Sequence, residues 1–244
     1  ERYLMRLFVK DKGFYKSFFS LTGMIALQNI ITYSVNLADN LMLGAYSENA
    51  MSGVALVNQI QFLLQMLVLG VGEGLVVLAS QYWGKGEVQP IKRLTSCALG
   101  VGLGAALALF AAVFSAPRFC LSLFTDQWVY VDEAVKYMNI ICFSYPIFAV
   151  TNVLLASLRS VETVKIGYLV SFSTLLINCT LNYILIFGNL GAPEMGARGA
   201  AVATLIARVI ELGIVLIYLF FIDKKLRFKF KELFIGSKQL FQDY

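Results

Sequence analysis

Long apolar runs separated by short polar breaks dominate the chain. A run of about 20 apolar residues is long enough for a helix to cross a lipid bilayer. Six such runs occur, and we predict spanning helices over Ser17–Leu43, Met51–Ser80, Thr95–Ala116, Val135–Leu158, Ile166–Phe187 and Ala197–Ile222. The breaks contain glycine, proline and charged residues, which is typical of helix ends. The pattern therefore predicts an all-α integral membrane protein, built as a six-transmembrane-helix bundle.

The residues on either side of this bundle are basic and amphipathic. Residues 1–16 are predicted to form a cytoplasmic N-terminal arm, and residues 223–244 a basic cytoplasmic linker. The linker contains KKLRFKFKEL, a pattern that suits a surface helix bound to anionic lipid. Residues 17–222 form the predicted six-helix domain between them.

Lys and Arg residues collect on one side of the predicted bundle. They are frequent in the arm, in the breaks at residues 81–94 and 159–165, and in the linker. The opposite side carries only Arg118, Lys136 and Arg198. Because positive residues accumulate on the cytoplasmic side of membrane proteins, we expect both termini in the cytoplasm. An even number of helices is consistent with two ends on one side.

The composition agrees with a membrane protein and excludes several functional classes. Of the 244 residues, 59% are hydrophobic and 14% are charged, against about 25% charged in a typical soluble domain. Basic residues at helix ends explain the net charge of +5, so we expect the lipid bilayer, and no nucleic acid, as a partner. The chain has no histidine, which removes most zinc sites and Ser-His-Asp triads. Its four cysteines lie far apart and are expected to be small packing residues.

Polar side chains recur at helical spacing inside three of the apolar runs. They are Gln28, Thr32, Asn36 and Asp39 in the first, Asn58, Gln61, Gln65 and Glu73 in the second, and Thr174, Asn178 and Asn182 in the fifth. Residues four apart share one face of a helix, so we expect these faces to meet around a wet interior. The alternative is that the amides and hydroxyls only join neighbouring helices.

Asp39 is the residue of this set that most favours function over packing. A carboxylate in a membrane span costs about 3 kcal/mol on insertion scales, and such residues usually serve an ion, a proton or a cationic substrate. A carboxylate surrounded by amide and hydroxyl oxygens suits Na⁺, and the carboxylate can equally carry a proton. We therefore predict Asp39 as the residue that binds Na⁺ or H⁺.

Glu73 lies in the glycine-rich segment Gly-Val-Gly-Glu-Gly of the second run. We expect it to line the cavity or to pair with Arg208 of the sixth run. The alternative is that Arg208 pairs with Glu211, one turn along its own helix. The glycine pairs Gly70–Gly74 and Gly100–Gly104 fit the GxxxG pattern and predict close helix packing.

Five motifs occur in order along the chain. The first run ends Val35-Asn-Leu-Ala-Asp39-Asn-Leu-Met-Leu-Gly44, and the second ends Ala79-Ser-Gln81-Tyr-Trp-Gly84. The fourth contains Pro146 and ends at Arg159, the fifth reads Ile177-Asn178-Cys-Thr-Leu-Asn182 up to Gly188, and the sixth opens Met195-Gly196-Ala-Arg-Gly199 before Thr204. In these motifs the chain resembles, from Ser17 to about Ile222, the N-terminal half of a multidrug and toxic compound extrusion (MATE) transporter. It departs from that family at Arg159-Ser-Val-Glu, where the family has Arg-Gly-x-Gly.

The resemblance implies an antiporter of the plasma membrane that exports cationic lipophilic drugs and is not an enzyme. It implies no cofactor beyond a coupling ion, Na⁺ or H⁺, and an ion site made by Asp39, Asn178, Asn182 and Thr204. From the polar faces we add four candidate cavity and substrate residues, Gln28, Asn36, Gln61 and Glu73. The family has twelve helices in two lobes, so we expect a second lobe, either in the same chain or in a dimer partner.

The resemblance also implies a mechanism of alternating access. Two alternative functions remain besides the antiporter. Ion binding would neutralise Asp39, shift the first helix and expel the substrate. A lipid-linked oligosaccharide flippase of the same superfamily would need a strongly cationic cavity, whereas the intramembrane charges here are mostly acidic. A membrane-embedded lipid-modifying enzyme would need clustered aspartates or histidine, and the sequence has neither pattern.

Overall fold

The computed structural model describes residues 12–125 and 127–233, and these residues form helices joined by short loops. Eight α-helices follow one another within these ranges, namely α1 Lys12–Tyr46, α2 Glu48–Gly84, α3 Val88–Ser115, α4 Pro117–Ser122, α5 Trp128–Ile141, α6 Ser144–Ser160, α7 Lys165–Phe187 and α8 Ala197–Ile217. A π-helical turn, Tyr218–Ile222, extends α8, and short 3₁₀ turns cover Asn189–Gly191 and Phe230–Leu233. No strand occurs in the described ranges.

Among the described residues, five helices are long and apolar enough to cross a membrane, and a sixth span is formed if α5 and α6 are counted together. The five are α1, α2, α3, α7 and α8 with its π turn. The total agrees with the six predicted spans when the bent pair is counted as one span. The structure also corrects the fourth span, because α5 and α6 meet at an angle of 55° instead of forming one helix over Val135–Leu158.

Pro146 explains the break between α5 and α6. A proline has no backbone N–H, and its ring clashes with the carbonyl four residues earlier, which here is that of Cys142. The Ser144 hydroxyl donates a hydrogen bond of 2.6 Å to the Ile141 carbonyl, which satisfies one acceptor at the end of α5. The apolar composition continues through the break, so a hydropathy pattern does not reveal it.

The bundle has two ends, which we name by the loops that form them. The distal end contains Ser47 and the loop 188–196, and the proximal end contains the breaks at residues 85–87 and 161–164 together with the segment 223–233. At the distal end, the Ser47 hydroxyl accepts a hydrogen bond from the Ala50 N–H and caps α2. Gly188 ends α7 in the left-handed conformation that glycine adopts without strain.

Close helix packing occurs at glycines other than the predicted pairs. A β-carbon added at Gly70, Gly74, Gly100 or Gly104 would meet no described atom within 4 Å, so the prediction of close packing at Gly70–Gly74 and Gly100–Gly104 was wrong. The glycines between them face α6 instead. A β-carbon at Gly72 would lie 3.3 Å from Ala156, and one at Gly102 would lie 3.3 Å from Val153.

The segment 223–233 packs against the proximal end and does not form the predicted surface helix. Leu226, Phe228 and Leu233 are buried. The Asp223 carboxylate accepts the Leu226 N–H at 2.8 Å, which turns the chain back toward the bundle. These apolar side chains are therefore buried in the protein instead of facing lipid.

The structure describes only part of each of the two predicted terminal segments. The described part of α1 starts at Lys12, inside the predicted arm. Residues 1–11 of that arm and residues 234–244 of the linker lie outside the described residues.

Candidate functional site

Asp39 lies on the buried face of α1. The buried residues of this helix are Ile31, Val35, Asp39 and Leu43, which recur every four residues and form one stripe. Only 9% of Asp39 is exposed. The helix α7 contacts both α1 and α8, so polar side chains of α7 can reach both helices.

Two asparagines of α7 connect Asp39 to α8. The amide nitrogen of Asn182 donates hydrogen bonds to the Asp39 carboxylate and, at 3.1 Å, to the Asn178 side-chain oxygen. The amide nitrogen of Asn178 then donates to the Thr204 hydroxyl at 3.1 Å. Both asparagines are fully buried. The structure thus brings together all four residues predicted for the ion site, Asp39, Asn178, Asn182 and Thr204.

One oxygen in this network has no hydrogen-bond partner among the described residues. It is the side-chain oxygen of Asn182, which is buried beside the Asp39 carboxylate. Buried polar atoms are normally satisfied, so an unsatisfied acceptor requires an explanation. A carboxylate and a free amide oxygen close together can bind a hard cation, which prefers oxygen ligands.

A small cavity of about 30 Å³ adjoins Asp39. A water molecule needs about 10–15 Å³ of such space, so the cavity has room for about two or three molecules of that size. Two of the predicted cavity residues, Asn36 of α1 and Gln61 of α2, line it. Asn58, Thr174, Asn178 and Thr204 add further amide and hydroxyl groups.

A larger cavity of about 340 Å³ lies beside the small one. It is lined by the other two predicted cavity residues, Gln28 and Glu73. The two cavities share four lining residues, Thr32, Ser171, Arg208 and Glu211. The polar faces predicted from the sequence therefore meet, but they form two compartments and not one.

The ion pairs of the larger cavity do not include the predicted pair of Glu73 with Arg208. Glu73 lines the cavity, as predicted, but it pairs with Arg159 of α6 at 3.1 Å and not with Arg208. Arg208 pairs with Glu211 at 2.8 Å, which confirms the alternative pairing within α8. The Arg208 guanidinium carbon also lies 5.1 Å from the centre of the Phe148 ring.

Sequence reasoning missed Arg159 and Tyr137 as cavity residues. Arg159 stands at a helix end, where a basic residue is expected for topology alone, and its partner Glu73 lies far away in sequence. Tyr137 is buried in α5 and lines the small cavity. Its apolar neighbours give it the pattern of an ordinary packing residue, so no local signal distinguishes it.

The Asp39 carboxylate has amide and hydroxyl groups around it, and the second carboxylate that lines the small cavity, Glu211, is paired with Arg208. Within the described residues, no group of three or more His, Cys, Asp or Glu side chains is placed to hold a metal ion. The partners of Asp39 are amides and a hydroxyl, which suit a weakly held monovalent cation or a proton better than a tightly bound transition metal.

Comparison with known proteins gives a consistent family. The sequence model of the MatE family matches residues 25–184. The chain is 30% identical over 196 residues to the probable multidrug resistance protein NorM of Thermotoga maritima, covering 79% of this chain and 42% of the relative. It is 26% identical over 201 residues to the multidrug resistance protein NorM of Vibrio cholerae, covering 82% and 43%. The chain thus spans less than half the length of these relatives.

The fold is similar to that of a solved transporter structure. This structure is an outward-facing conformation of a multidrug resistance MATE family transporter of the MOP superfamily. The TM-score is 0.81 at 19% sequence identity, and the match covers 93% of this chain and 50% of the other. At this identity the likeness shows the fold alone, and it confirms the predicted all-helical membrane fold.

Proposed function

Because the chain belongs to the MatE family, we propose that it forms the N-terminal lobe of an antiporter that exports cationic lipophilic compounds in exchange for Na⁺ or H⁺. Members of this family are multi-pass transporters of the plasma membrane and not enzymes. This agrees with the predicted class and location, and it sets aside the lipid-modifying enzyme. The choice of coupling ion, the cargo and the role of each residue are part of the proposal.

The observation that carries this proposal is the hydrogen-bonded series from Asp39 through Asn182 and Asn178 to Thr204. It joins three helices around one buried carboxylate and leaves the Asn182 oxygen without a described partner. A group that only joined helices would be expected to have its acceptors satisfied. The arrangement is therefore better suited to a site that receives a positive charge.

The ion, treated as a transported substrate, acts on the contact between α1 and α7. A proton or Na⁺ that binds Asp39 neutralises the carboxylate whose oxygen accepts the Asn182 N–H. The hydrogen bond between the two helices weakens, because charge-assisted hydrogen bonds are roughly twice as strong as neutral ones. The packing of α1 on α7 then differs between the ion-free and ion-bound states.

Because the two cavities share lining residues, binding of the ion in one cavity can disfavour binding of the cargo in the other. A cargo in the larger cavity contacts Arg208 and Glu211, which also line the ion cavity. A change in charge or packing that the ion causes at Asp39 therefore acts on residues that also face the cargo. Linkage requires this effect to be reciprocal. If the ion weakens the binding of the cargo, the cargo must weaken the binding of the ion by the same factor.

The orientation follows from the basic residues at the proximal end. With both termini in the cytoplasm, the distal end faces outward. Asp39 is seven residues from the end of α1 at Tyr46, a distance of about 10 Å at 1.5 Å per residue. An ion from outside then reaches Asp39 from the nearer end. The second lobe, in the same chain or in a partner, completes the cargo cavity.

The charges of the two cavities favour this proposal over an oligosaccharide flippase. The acidic groups are Asp39, Glu73 and Glu211, and the basic groups are Arg159 and Arg208. Each arginine is paired with a glutamate, which leaves Asp39 as the unbalanced charge. A cavity of this kind does not have the strong positive charge that a pyrophosphate-linked cargo would need.

Transport by the full-length protein in proteoliposomes tests the proposal. The probe is rhodamine B ethyl ester, a fluorescent lipophilic cation. An imposed Na⁺ or proton gradient is expected to drive the dye against its own gradient, and an ionophore that removes the ion gradient is expected to stop it. Dye movement that is unaffected by either ion gradient would overturn the proposal.

A further inference from the structure

We propose that a groove between α3 and α6, near the proximal end, binds a phospholipid with an anionic headgroup. One acyl chain of the lipid lies in the groove, and its phosphate lies beside Arg93. The inference depends on the membrane location of the chain and not on the proposed export function.

The groove is an apolar cavity of about 170 Å³. It is lined by residues of α3, of α6 and of the segment 223–233, namely Ser96, Leu99, Gly100, Leu103, Val150, Leu154 and Leu233. The one polar side chain in this lining, Ser96, donates its hydroxyl hydrogen bond to the Glu232 carbonyl at 2.6 Å. The lining therefore suits a hydrocarbon chain, which offers no partner to a polar group.

The groove is open toward the surface of the bundle and follows the direction of a spanning helix. Gly100 is exposed, and a β-carbon added there would meet no described atom within 4 Å. Ser96 and Leu103 are seven residues apart on α3, so the lining follows about 10 Å of the helix axis at 1.5 Å per residue. Spanning helices lie within about 20° of the bilayer normal on average, which is also the general direction of the acyl chains.

Arg93 stands at the proximal end of this groove. It lies three residues before Ser96 and seven before Gly100, so the three residues share one face of α3. Arg93 is exposed and forms no ion pair with a described residue. The neighbouring Lys92, in contrast, is buried and pairs with Glu232 at 2.8 Å. Arg93 is therefore free to bind a phosphate at the level of the lipid headgroups.

The charges at this end of the groove select an anionic headgroup. Lys229 is exposed and lies three residues before Glu232, whose carbonyl contacts Ser96. Because Lys92 balances Glu232, Arg93 and Lys229 add positive charge that the pair does not cancel. Basic residues near the membrane surface attract anionic lipid, by about fivefold in affinity for each residue.

An acyl chain fits this groove better than a helix of a second lobe does. A helix with its side chains is about 10–12 Å wide. The helices α3 and α6 lie close together here, since a β-carbon added at Gly102 would be 3.3 Å from Val153. An unbranched hydrocarbon chain is narrow enough to enter the space that remains beside Gly100.

Native mass spectrometry of the purified full-length protein tests the headgroup. The probes are dioleoyl phosphatidylglycerol, which is anionic, and dioleoyl phosphatidylcholine, which has the same chains and no net charge. The wild-type protein is expected to bind phosphatidylglycerol more tightly. Arg93→Gln is expected to weaken this binding about fivefold, with phosphatidylcholine binding changed less than about twofold. Lys165→Gln, which removes an exposed proximal charge on α7 outside the groove, is the control and is expected to change neither affinity.

A second pair of variants tests the acyl chain. Gly100→Phe fills the groove and is expected to weaken the binding of both lipids about threefold or more, because the chain loses its contacts. Val101→Phe is the matched control, since Val101 is the next residue of α3, is 55% exposed and does not line the groove. A melting temperature of each variant in detergent identifies any variant that is merely unstable.

Equal binding of the two lipids by the wild-type protein, or an unchanged preference in Arg93→Gln, would overturn the anionic headgroup site. Lipid binding that is the same in Gly100→Phe and Val101→Phe would place the chain elsewhere and overturn the groove. A groove covered by the second lobe predicts this last result together with a lowered melting temperature of Gly100→Phe. Dye export is measured separately, so its failure would overturn the proposed function and leave the lipid site standing.

Discussion

At the scale of single residues, the buried carboxylate of Asp39 is tolerated because an asparagine donates to it. Without partners, a charged group at this position is expensive. The donor, Asn182, is held in turn by Asn178 four residues earlier on the same helix. Four-residue spacing on α1 and α7 is visible in the sequence, so Asp39, Asn178 and Asn182 could be predicted. Thr204 was predicted only through the family motif, because it stands alone among alanines and apolar residues.

Replacing Asn182 by alanine tests its part in ion binding. Asn182→Ala removes both the donor to Asp39 and the adjacent amide oxygen, so the ion concentration for half-maximal dye export is expected to rise roughly tenfold. The ion dependence of export in proteoliposomes measures this. Asn189→Ala is the control, because Asn189 donates to the Tyr183 carbonyl near the exposed distal loop. An unchanged ion dependence in Asn182→Ala would contradict the role given to Asn182.

At the scale of helices, backbone geometry decides features that hydropathy does not contain. The apolar run over Val135–Leu158 has the composition of one span, and the missing N–H of Pro146 divides it. Similarly, the GxxxG pattern indicated the right part of α2 and α3 but the wrong glycines. Which glycine faces a neighbour depends on how each helix is rotated in the bundle, and this is a tertiary property.

The contact between α7 and α8, which positions Asn178 against Thr204, depends on Gly199. A β-carbon there would collide with the Leu185 carbonyl and would lie 3.0 Å from the Ile186 nitrogen. Gly199→Ala is expected to destabilise the protein by about 1–3 kcal/mol, as overpacking does in other cores. Gly213→Ala, in the same helix but with open space, is expected to be neutral or slightly stabilising. Thermal unfolding in detergent compares them, and equal melting temperatures would contradict the close contact.

The docked segment 223–233 is expected to loosen in acid. Lys92 donates to Glu232 at 2.8 Å, and this hydrogen bond holds the pKa of the Glu232 carboxyl below its usual range. A lowered pKa means that the pair stabilises docking above the ordinary carboxyl pKa and stops doing so as the pH falls through the lowered value. Amide exchange in residues 223–233, corrected for intrinsic rates, is expected to accelerate up to about fivefold in that acidic range.

The same loosening is expected at neutral pH in Glu232→Gln, which removes the charge without removing the side chain. Glu133→Gln is the control, since Glu133 pairs with Lys136 in α5 and not with the segment. If neither pH nor Glu232→Gln changes the exchange rates in the segment, the ion pair contributes nothing measurable, and the other contacts, such as the buried Leu226 and Phe228 and the Ser96 hydrogen bond to the Glu232 carbonyl, hold the segment.

At the scale of the whole molecule, the sequence was sufficient for the number of spans and for the family. Both depend on properties that a sequence displays directly, which are the length of apolar runs and ordered motifs. The division of the polar interior into two cavities was not predictable. It depends on residues that line both cavities, among them Thr32 of α1 and Ser171 of α7, whose hydroxyls lie 3.5 Å apart. No local pattern links two residues so far apart in the sequence.

The orientation of the lobe can be measured by labelling single cysteines in intact cells. Asn49→Cys, at the distal end, is expected to react with a membrane-impermeant maleimide from outside, and Lys85→Cys only after the membrane is permeabilised. Both sites are exposed in the described chain. The background replaces the four native cysteines, Cys97, Cys120, Cys142 and Cys179. The reverse labelling would place both termini outside and contradict the assignment.

Binding of a cation by the purified full-length protein, with and without the coupling ion, tests most directly whether Asp39 couples ion and cargo. In the wild-type protein, saturating Na⁺ or H⁺ is expected to weaken binding of rhodamine B ethyl ester roughly tenfold, which corresponds to a coupling free energy of about 1.4 kcal/mol. In Asp39→Asn, the dye is expected to bind with one affinity whatever the ion concentration. An Asp39→Asn protein whose dye affinity still falls tenfold with the ion would contradict the central role of Asp39.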